Sequence, residues 1–114
     1  MQLTVRHEDR GSWTVVRASG DLDLASAPGL RSTAVGLITE GRRHLVLDLG
    51  GVDFLDSLGL GVVIGIVRRA RAQGGDVRLV SDRPHLERTF ALTGLDRALP
   101  LHPDVDAALA GEDP

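Results

Sequence analysis

The sequence contains no cysteine, no lysine and no tyrosine, and its aromatic content is low. Without cysteine there can be no disulfide framework, no thiol nucleophile and no thiolate metal site. Aromatic residues make up 3% of the 114 residues, which argues against stacking-based recognition of single-stranded nucleic acid. The formal net charge of −3 disfavours any direct nucleic-acid partner, because binding to phosphates needs a clustered positive surface.

Long hydrophobic runs are also missing. The N-terminal segment MQLTVRHEDR is polar where a signal peptide would carry its apolar region. The longest apolar run, residues 58–67, is too short to span a bilayer and is followed by Arg68 and Arg69. We therefore expect a cytoplasmic protein that has no membrane partner.

The hydrophobic fraction of 42% is enough for one core built mainly from aliphatic side chains. A chain of this length suits a single domain, which we place at residues 1–110, followed by a polar tail at 111–114. Strand–helix–strand alternation after Arg43 implies parallel pairing, and an N-terminal hairpin makes the sheet mixed. The prediction is an α/β domain with a central sheet of about four to five strands and helices packed on it.

The element boundaries follow from apolar periodicity and from turn residues. Ser26 is a candidate N-cap for the first helix, and Gly50-Gly51 are expected to break the central strand. In chain order we expect a hairpin (2–5 and 12–19), a loop (21–24), a helix ending at Gly41, a strand (43–49), a helix (58–73), a strand (76–80), a helix (84–92) stopped by Gly94, a short strand (99–101) and a short helix (105–109).

The most informative stretch is residues 52–65, VDFLDSLGLGVVIG, where an extended segment turns into a helix. Ser57 can cap this helix by accepting a hydrogen bond from a free backbone N–H. The same place suits a phosphate, because free N–H groups and the helix dipole favour an anion, although Asp56 would repel it. From the residues alone, a structural cap and a phosphorylation site both remain open.

Glycines recur in this predicted helix at positions 59, 61 and 65. Each interior glycine costs about 1 kcal/mol relative to alanine, so their number needs a reason. Gly61 and Gly65 are four residues apart and share a helix face. We expect this face to allow the close approach of another backbone.

Residues 54–61, FLDSLGLG, resemble the signature of bacterial anti-sigma-factor antagonists, which have a STAS-type fold. In that family an Asp-Ser-Ser/Thr-Gly-Leu-Gly run carries a regulatory phosphoserine. Further segments match the family pattern in the same order: GDLD at 20–23, LVLDL at 45–49, GG at 74–75 with VRLV at 77–80, and FALTGL at 90–95.

The resemblance implies a protein that binds a serine-kinase anti-sigma factor when unphosphorylated, releases the sigma factor, and is switched off by phosphorylation of Ser57. A PP2C-type phosphatase is a second expected partner. Leu58 departs from the family, which usually has Ser or Thr there, and this affects which kinase is recognised. The partner-binding residues implied are Asp23, Asp56, Ser57, Leu58, Gly59, Leu60 and Gly61.

Two alternatives remain beside this hypothesis. One is a STAS subunit of another regulatory or sensory complex or of a lipid transporter. The other is a nucleotide-binding protein that uses Asp21, Asp23 and Asp56. The histidines lack metal-ligand spacing, and Ser57 is not part of a Gly-x-Ser-x-Gly motif. We therefore expect no metal, no cofactor and no enzymatic activity.

Overall fold

The computed structural model describes residues 2–110, so the predicted tail at 111–114 lies outside the described residues. Helices and strands alternate through most of the chain, and their order and bounds follow. They are β1 Thr4–Arg10, β2 Trp13–Leu22, α1 Ala27–Thr39, β3 His44–Leu55, α2 Ser57–Ala72, β4 Asp76–Val80, α3 Pro84–Leu92, α4 Leu95–Ala98, β5 Leu101–His102 and α5 Val105–Leu109.

The five strands form one sheet in the order β1-β2-β3-β4-β5. Strands β1 and β2 are antiparallel, and the three following pairs are parallel. The predicted mixed α/β sheet is confirmed. Because parallel neighbours need a crossover, α1 and α2 each carry the chain back before the next strand begins.

Strands β2 and β3 are longer than the sequence pattern indicated. β2 runs to Leu22, through half of the predicted loop at 21–24, and β3 continues through Gly50 and Gly51 to Leu55. The expected break at Gly50-Gly51 is therefore wrong. The β2–β3 register shifts between Arg17 and Ser19 and again between Gly20 and Asp21, so the ladder absorbs the irregularity and continues.

The sheet is covered on both faces, which explains the contiguous apolar residues of β3. Leu45 and Leu47 join the larger core under α1, α2 and α3, whereas Val46 points to the opposite face. On that opposite face the smaller core consists of Trp13, Val15, Val46, Val80, Val105 and Ala108.

Helix ends follow local chemistry in most places. Gly41 and Gly94 have φ values of 100° and 75°, the left-handed conformation expected of a glycine just past a helix end. α5 has the predicted bounds, and α3 also begins and ends where predicted. Ser26 occupies the N-cap position of α1, but its side chain makes no capping hydrogen bond.

Candidate functional site

The start of α2 is capped by Asp56 and not by Ser57. Asp56 has an extended backbone, and its Oδ1 accepts a hydrogen bond from the Gly59 N–H at 2.8 Å. Its carbonyl oxygen accepts from the Leu60 N–H at 2.9 Å, which begins the helical pattern. The prediction that Ser57 caps the helix is wrong. Ser57 is the first helical residue, and it is exposed.

Of the three glycines in α2, Gly59 is the one that needs to lack a side chain. A Cβ at this position would overlap the carbonyl oxygen of Leu22, at the end of β2. At Gly61 and Gly65 a Cβ would meet nothing within 4 Å, and both glycines are exposed. The expectation of a close approach at Gly61 and Gly65 is therefore not met within residues 2–110. The close contact is at Gly59, two residues before Gly61, where the first turn of α2 meets Leu22 at the end of β2.

The loop between β2 and α1, residues 23–26, is held by its own polar side chains. The Asp23 Oδ1 accepts hydrogen bonds from the N–H groups of Ala25 and Ser26, each at 3.1 Å. The Ser26 hydroxyl donates to the Asp21 carbonyl at 2.6 Å, and its oxygen accepts from the Asp23 N–H at 3.0 Å. These bonds give the loop a defined backbone and leave Leu24 at its tip.

Asp56 also joins this loop to α2. Its Oδ2 accepts a hydrogen bond from the Leu24 N–H at 3.1 Å, and its own N–H donates to the Leu22 carbonyl at 3.2 Å. Residues 24 and 56 are far apart in sequence, and the parallel pairing of β2 with β3 brings them together, since Leu22 lies opposite Leu55. The two aspartates of the predicted site are thus both bonded to backbone.

Three large apolar side chains close in sequence to Asp23 and Asp56 are exposed. Leu24 is 70% exposed, and Phe54 and Leu58 are each 52% exposed. Phe54 and Leu58 lie two residues before and two residues after Asp56 in the sequence. We call Leu24, Phe54, Ser57 and Leu58 the switch surface. An exposed group of large apolar side chains is typical of a protein-interaction surface.

The structure brings most of the predicted site residues to one end of the sheet. Ser57, Leu58 and Gly61 are exposed, whereas Gly59 is buried and half-buried Leu60 packs against the core. Sequence reasoning missed Leu24 and Phe54 as surface residues. The available signals were a large apolar side chain directly after Asp23 in a predicted loop, and a large apolar residue two positions before Asp56 in an extended segment.

Two of the three aspartates in the nucleotide-binding alternative border one cleft. Asp21 and Asp23 border a cleft of about 460 Å³ beside α1, but Asp56 is not among its described lining. That lining contains two carboxylates and no arginine, an environment that repels nucleotide phosphates. Over the described part of the chain, no group of three or more histidine or acidic residues could hold a metal ion.

The fold and the motif can now be compared with known proteins. The family model described as the STAS domain matches residues 3–108. The anti-sigma-F factor antagonist RsfA of Mycobacterium tuberculosis is 30% identical over 112 residues, covering 96% of this chain and 86% of RsfA. An anti-sigma-B factor antagonist of Bacillus subtilis is 39% identical over 80 residues, covering 70% of this chain and 72% of that protein.

A solved structure agrees with these relatives. The crystal structure of an anti-sigma factor antagonist from Mycobacterium paratuberculosis has a TM-score of 0.86 and 33% identity, and it covers 95% of this chain and 92% of that chain. The chain therefore belongs to the STAS domain family, in the group of the anti-sigma factor antagonists. Within residues 2–110 no helix is both long enough and apolar enough to cross a membrane.

Proposed function

We propose that this protein binds an anti-sigma factor with serine kinase activity through the switch surface, releases the sigma factor, and is switched off by phosphorylation of Ser57. The observation that carries the proposal is the position of Ser57, exposed at the first residue of α2 and next to the exposed Leu58. A kinase can reach such a hydroxyl, and a binding partner would cover it.

The local electrostatics support a switch that leaves the fold intact. A phosphate carries a charge of about −1.5 to −2 at pH 7. At the first turn of α2 this charge lies near the positive end of the helix dipole, so the domain tolerates it. In a contact made with Leu24, Phe54 and Leu58 the same charge would lose its hydration without gaining a cation. Phosphorylation would therefore weaken binding more than it weakens folding.

Removal of the phosphate restores the binding form, and we assign that step to a phosphatase of the PP2C type. Leu58 removes the hydroxyl that relatives usually carry beside the phosphorylated serine, so Ser57 is the single acceptor in this segment. Leu58 also makes the switch surface more apolar, which favours a partner whose matching surface is apolar.

The test compares partner binding before and after ATP for wild type, Ser57→Ala and the control Ser32→Ala. Ser32 is an exposed serine on α1, outside the motif at 54–61. We expect all three proteins to bind an anti-sigma factor kinase from the same organism in calorimetry. ATP should release wild type and Ser32→Ala but not Ser57→Ala. Equal release of all three would show that Ser57 is not the switch.

A second measurement maps the modification and its structural effect. Mass spectrometry should find one phosphate on Ser57, and modification at Ser26 or Thr93 would contradict the assignment. Ser57→Asp should keep a native circular dichroism spectrum while its affinity for the kinase falls. A large loss of helix in this variant would contradict a local mechanism. Capture of a membrane complex by the tagged protein would favour a different STAS partner.

A further inference from the structure

The carboxylate of Asp56 uses its two oxygens for two different segments. Oδ1 accepts from the Gly59 N–H at 2.8 Å and caps α2, while Oδ2 accepts from the Leu24 N–H at 3.1 Å in the 23–26 loop. Each oxygen of a carboxylate can accept hydrogen bonds, so Asp56 receives one N–H donor on each of its two oxygens. Asp56 is therefore a link between the loop and the helix.

The hydrogen bond to Asp56 holds the backbone of Leu24, a residue whose side chain faces solvent. Leu24 is 70% exposed, so its own side chain provides little packing to hold the loop in place. On the loop side, Asp23 orders the backbone through the N–H groups of Ala25 and Ser26. On the helix side, the backbone of Leu24 is held by Asp56. A loop ordered before binding saves the entropy that a partner would otherwise lose in ordering it.

We infer that Asp56 is a positioning residue for partner binding: it holds Leu24 beside the start of α2, so that Leu24 and Leu58 form one contact surface. The inference rests on the proposed function, in which this surface binds the anti-sigma factor. It gives Asp56 a role through Leu24, distinct from a direct acidic contact with the partner. Gly59 supports the same geometry, because a side chain there would push α2 away from Leu22.

Asp56→Asn separates the helix cap from the loop link. Asparagine is as good an N-cap as aspartate, so the cap at Gly59 is kept. Its amide nitrogen is a donor, however, and cannot accept from the Leu24 N–H. We expect a urea midpoint that falls less than in Asp56→Ala, since only the bond to Leu24 is lost, and faster solvent exchange of the Leu24 amide by NMR. Partner binding should weaken by up to about fivefold, the value of one net hydrogen bond, because the partner must then order the loop.

A double-mutant cycle tests whether Asp56 acts through Leu24. Leu24→Ala removes the side chain that the link positions, so Asp56→Asn should have little further effect on binding in the Leu24→Ala background. Leu92→Ala is the matched control, since Leu92 is an 80% exposed leucine on α3. In that background Asp56→Asn should keep its full effect. An equal effect of Asp56→Asn in both backgrounds would overturn the inference.

The measurements also separate this inference from the proposed function. If wild type does not bind the anti-sigma factor kinase, the proposed function fails, and the partner role of Leu24 fails with it. If wild type binds but exchange of the Leu24 amide is unchanged in Asp56→Asn, only the inference is overturned. Faster exchange together with non-additive binding supports both.

Discussion

Two exposed surfaces of this protein are built in opposite ways. On the edge strand β1 the exposed side chains are mostly charged, and arginines neutralise the acids: Glu8 pairs with Arg17, and Asp9 pairs with Arg42. On the switch surface the exposed side chains are mostly apolar. Beside this surface, the half-buried carboxylates of Asp23 and Asp56 accept hydrogen bonds from backbone N–H groups.

The two surfaces differ in whether they favour contact with another protein chain. A charged edge strand discourages the addition of another strand, because a partner would have to displace or match its ion pairs. The switch surface instead leaves apolar area in water, which costs free energy until a partner covers it. A charged β1 edge therefore disfavours edge-to-edge association, whereas the switch surface is where we propose that a specific partner binds.

The ion pairs at the β1 edge lower the pKa values of Glu8 and Asp9. Hydrogen bonding to Arg42, with a second contribution from the Thr14 hydroxyl, lowers the pKa of Asp9 below its ordinary value. Hydrogen bonding and charge attraction from Arg17 lower the pKa of Glu8 in the same way. Both carboxylates are about half exposed to solvent, so salt and water weaken these interactions. Each ion pair at the β1 edge therefore contributes little to stability. At the switch surface, by contrast, the loop and the start of α2 are held by the hydrogen bonds of Asp23 and Asp56.

The largest effect we expect is from Gly59→Ala, which acts where the switch surface joins the sheet. A methyl group there overlaps the Leu22 carbonyl, and overpacking of this kind typically costs about 1–3 kcal/mol. Gly61→Ala is the matched control, since its methyl group meets nothing within 4 Å and alanine favours the helix by up to about 1 kcal/mol. Urea unfolding of both variants measures the difference. Equal stability of the two variants would mean that Gly59 does not lie against the Leu22 carbonyl.

We expect a smaller difference in stability between the alanine variants of Asp56 and Ser57. Asp56→Ala removes the helix cap and should destabilise the fold by typically about 1 kcal/mol. Ser57→Ala removes an exposed hydroxyl that does not cap the helix, so its effect should stay within about 0.5 kcal/mol. Denaturant midpoints of both variants, measured in one buffer, provide the comparison. A greater loss in Ser57→Ala would return the capping role to Ser57.

The smallest effect belongs to the β1 edge and depends on pH. Because the folded-state pKa of Asp9 is lowered, its pairing stabilises the fold fully above the ordinary pKa of 3.8. This stability is lost as the pH falls through the lowered value. Wild type should therefore exceed Arg42→Ala in thermal stability at pH 6, and the difference should shrink towards pH 2.

Arg42→Ala also tests the independence of the two surfaces. At neutral pH its affinity for the anti-sigma factor kinase should equal that of wild type, since Arg42 bonds to Asp9 and Glu40 and not to the switch surface. A clear loss of affinity in Arg42→Ala would show that the β1 edge also contributes to partner binding.

The sequence by itself determined the parts of the fold that depend on neighbouring residues. Apolar periodicity placed α2 and α3, and Gly94 marked the end of α3, because helix ends are decided within one turn of chain. The motif at 54–61 likewise indicated the class of protein, which the family comparison confirmed, whereas the role of Ser57 stays a prediction.

The tertiary structure decided what depends on segments distant in sequence. β3 continues through Gly50-Gly51 because its parallel partner β2 supplies the ladder: Ser19 lies opposite Gly51, and a side chain at Gly51 would overlap the Ser19 hydroxyl. The same pairing brings Leu24 to Asp56. Local propensity cannot predict such contacts, because their free energy comes from strand pairing and packing across the sheet. The link from Leu24 to Asp56 is such a contact, which no local pattern indicates. The cap itself is local, and the sequence pattern placed it one residue too late, at Ser57 instead of Asp56.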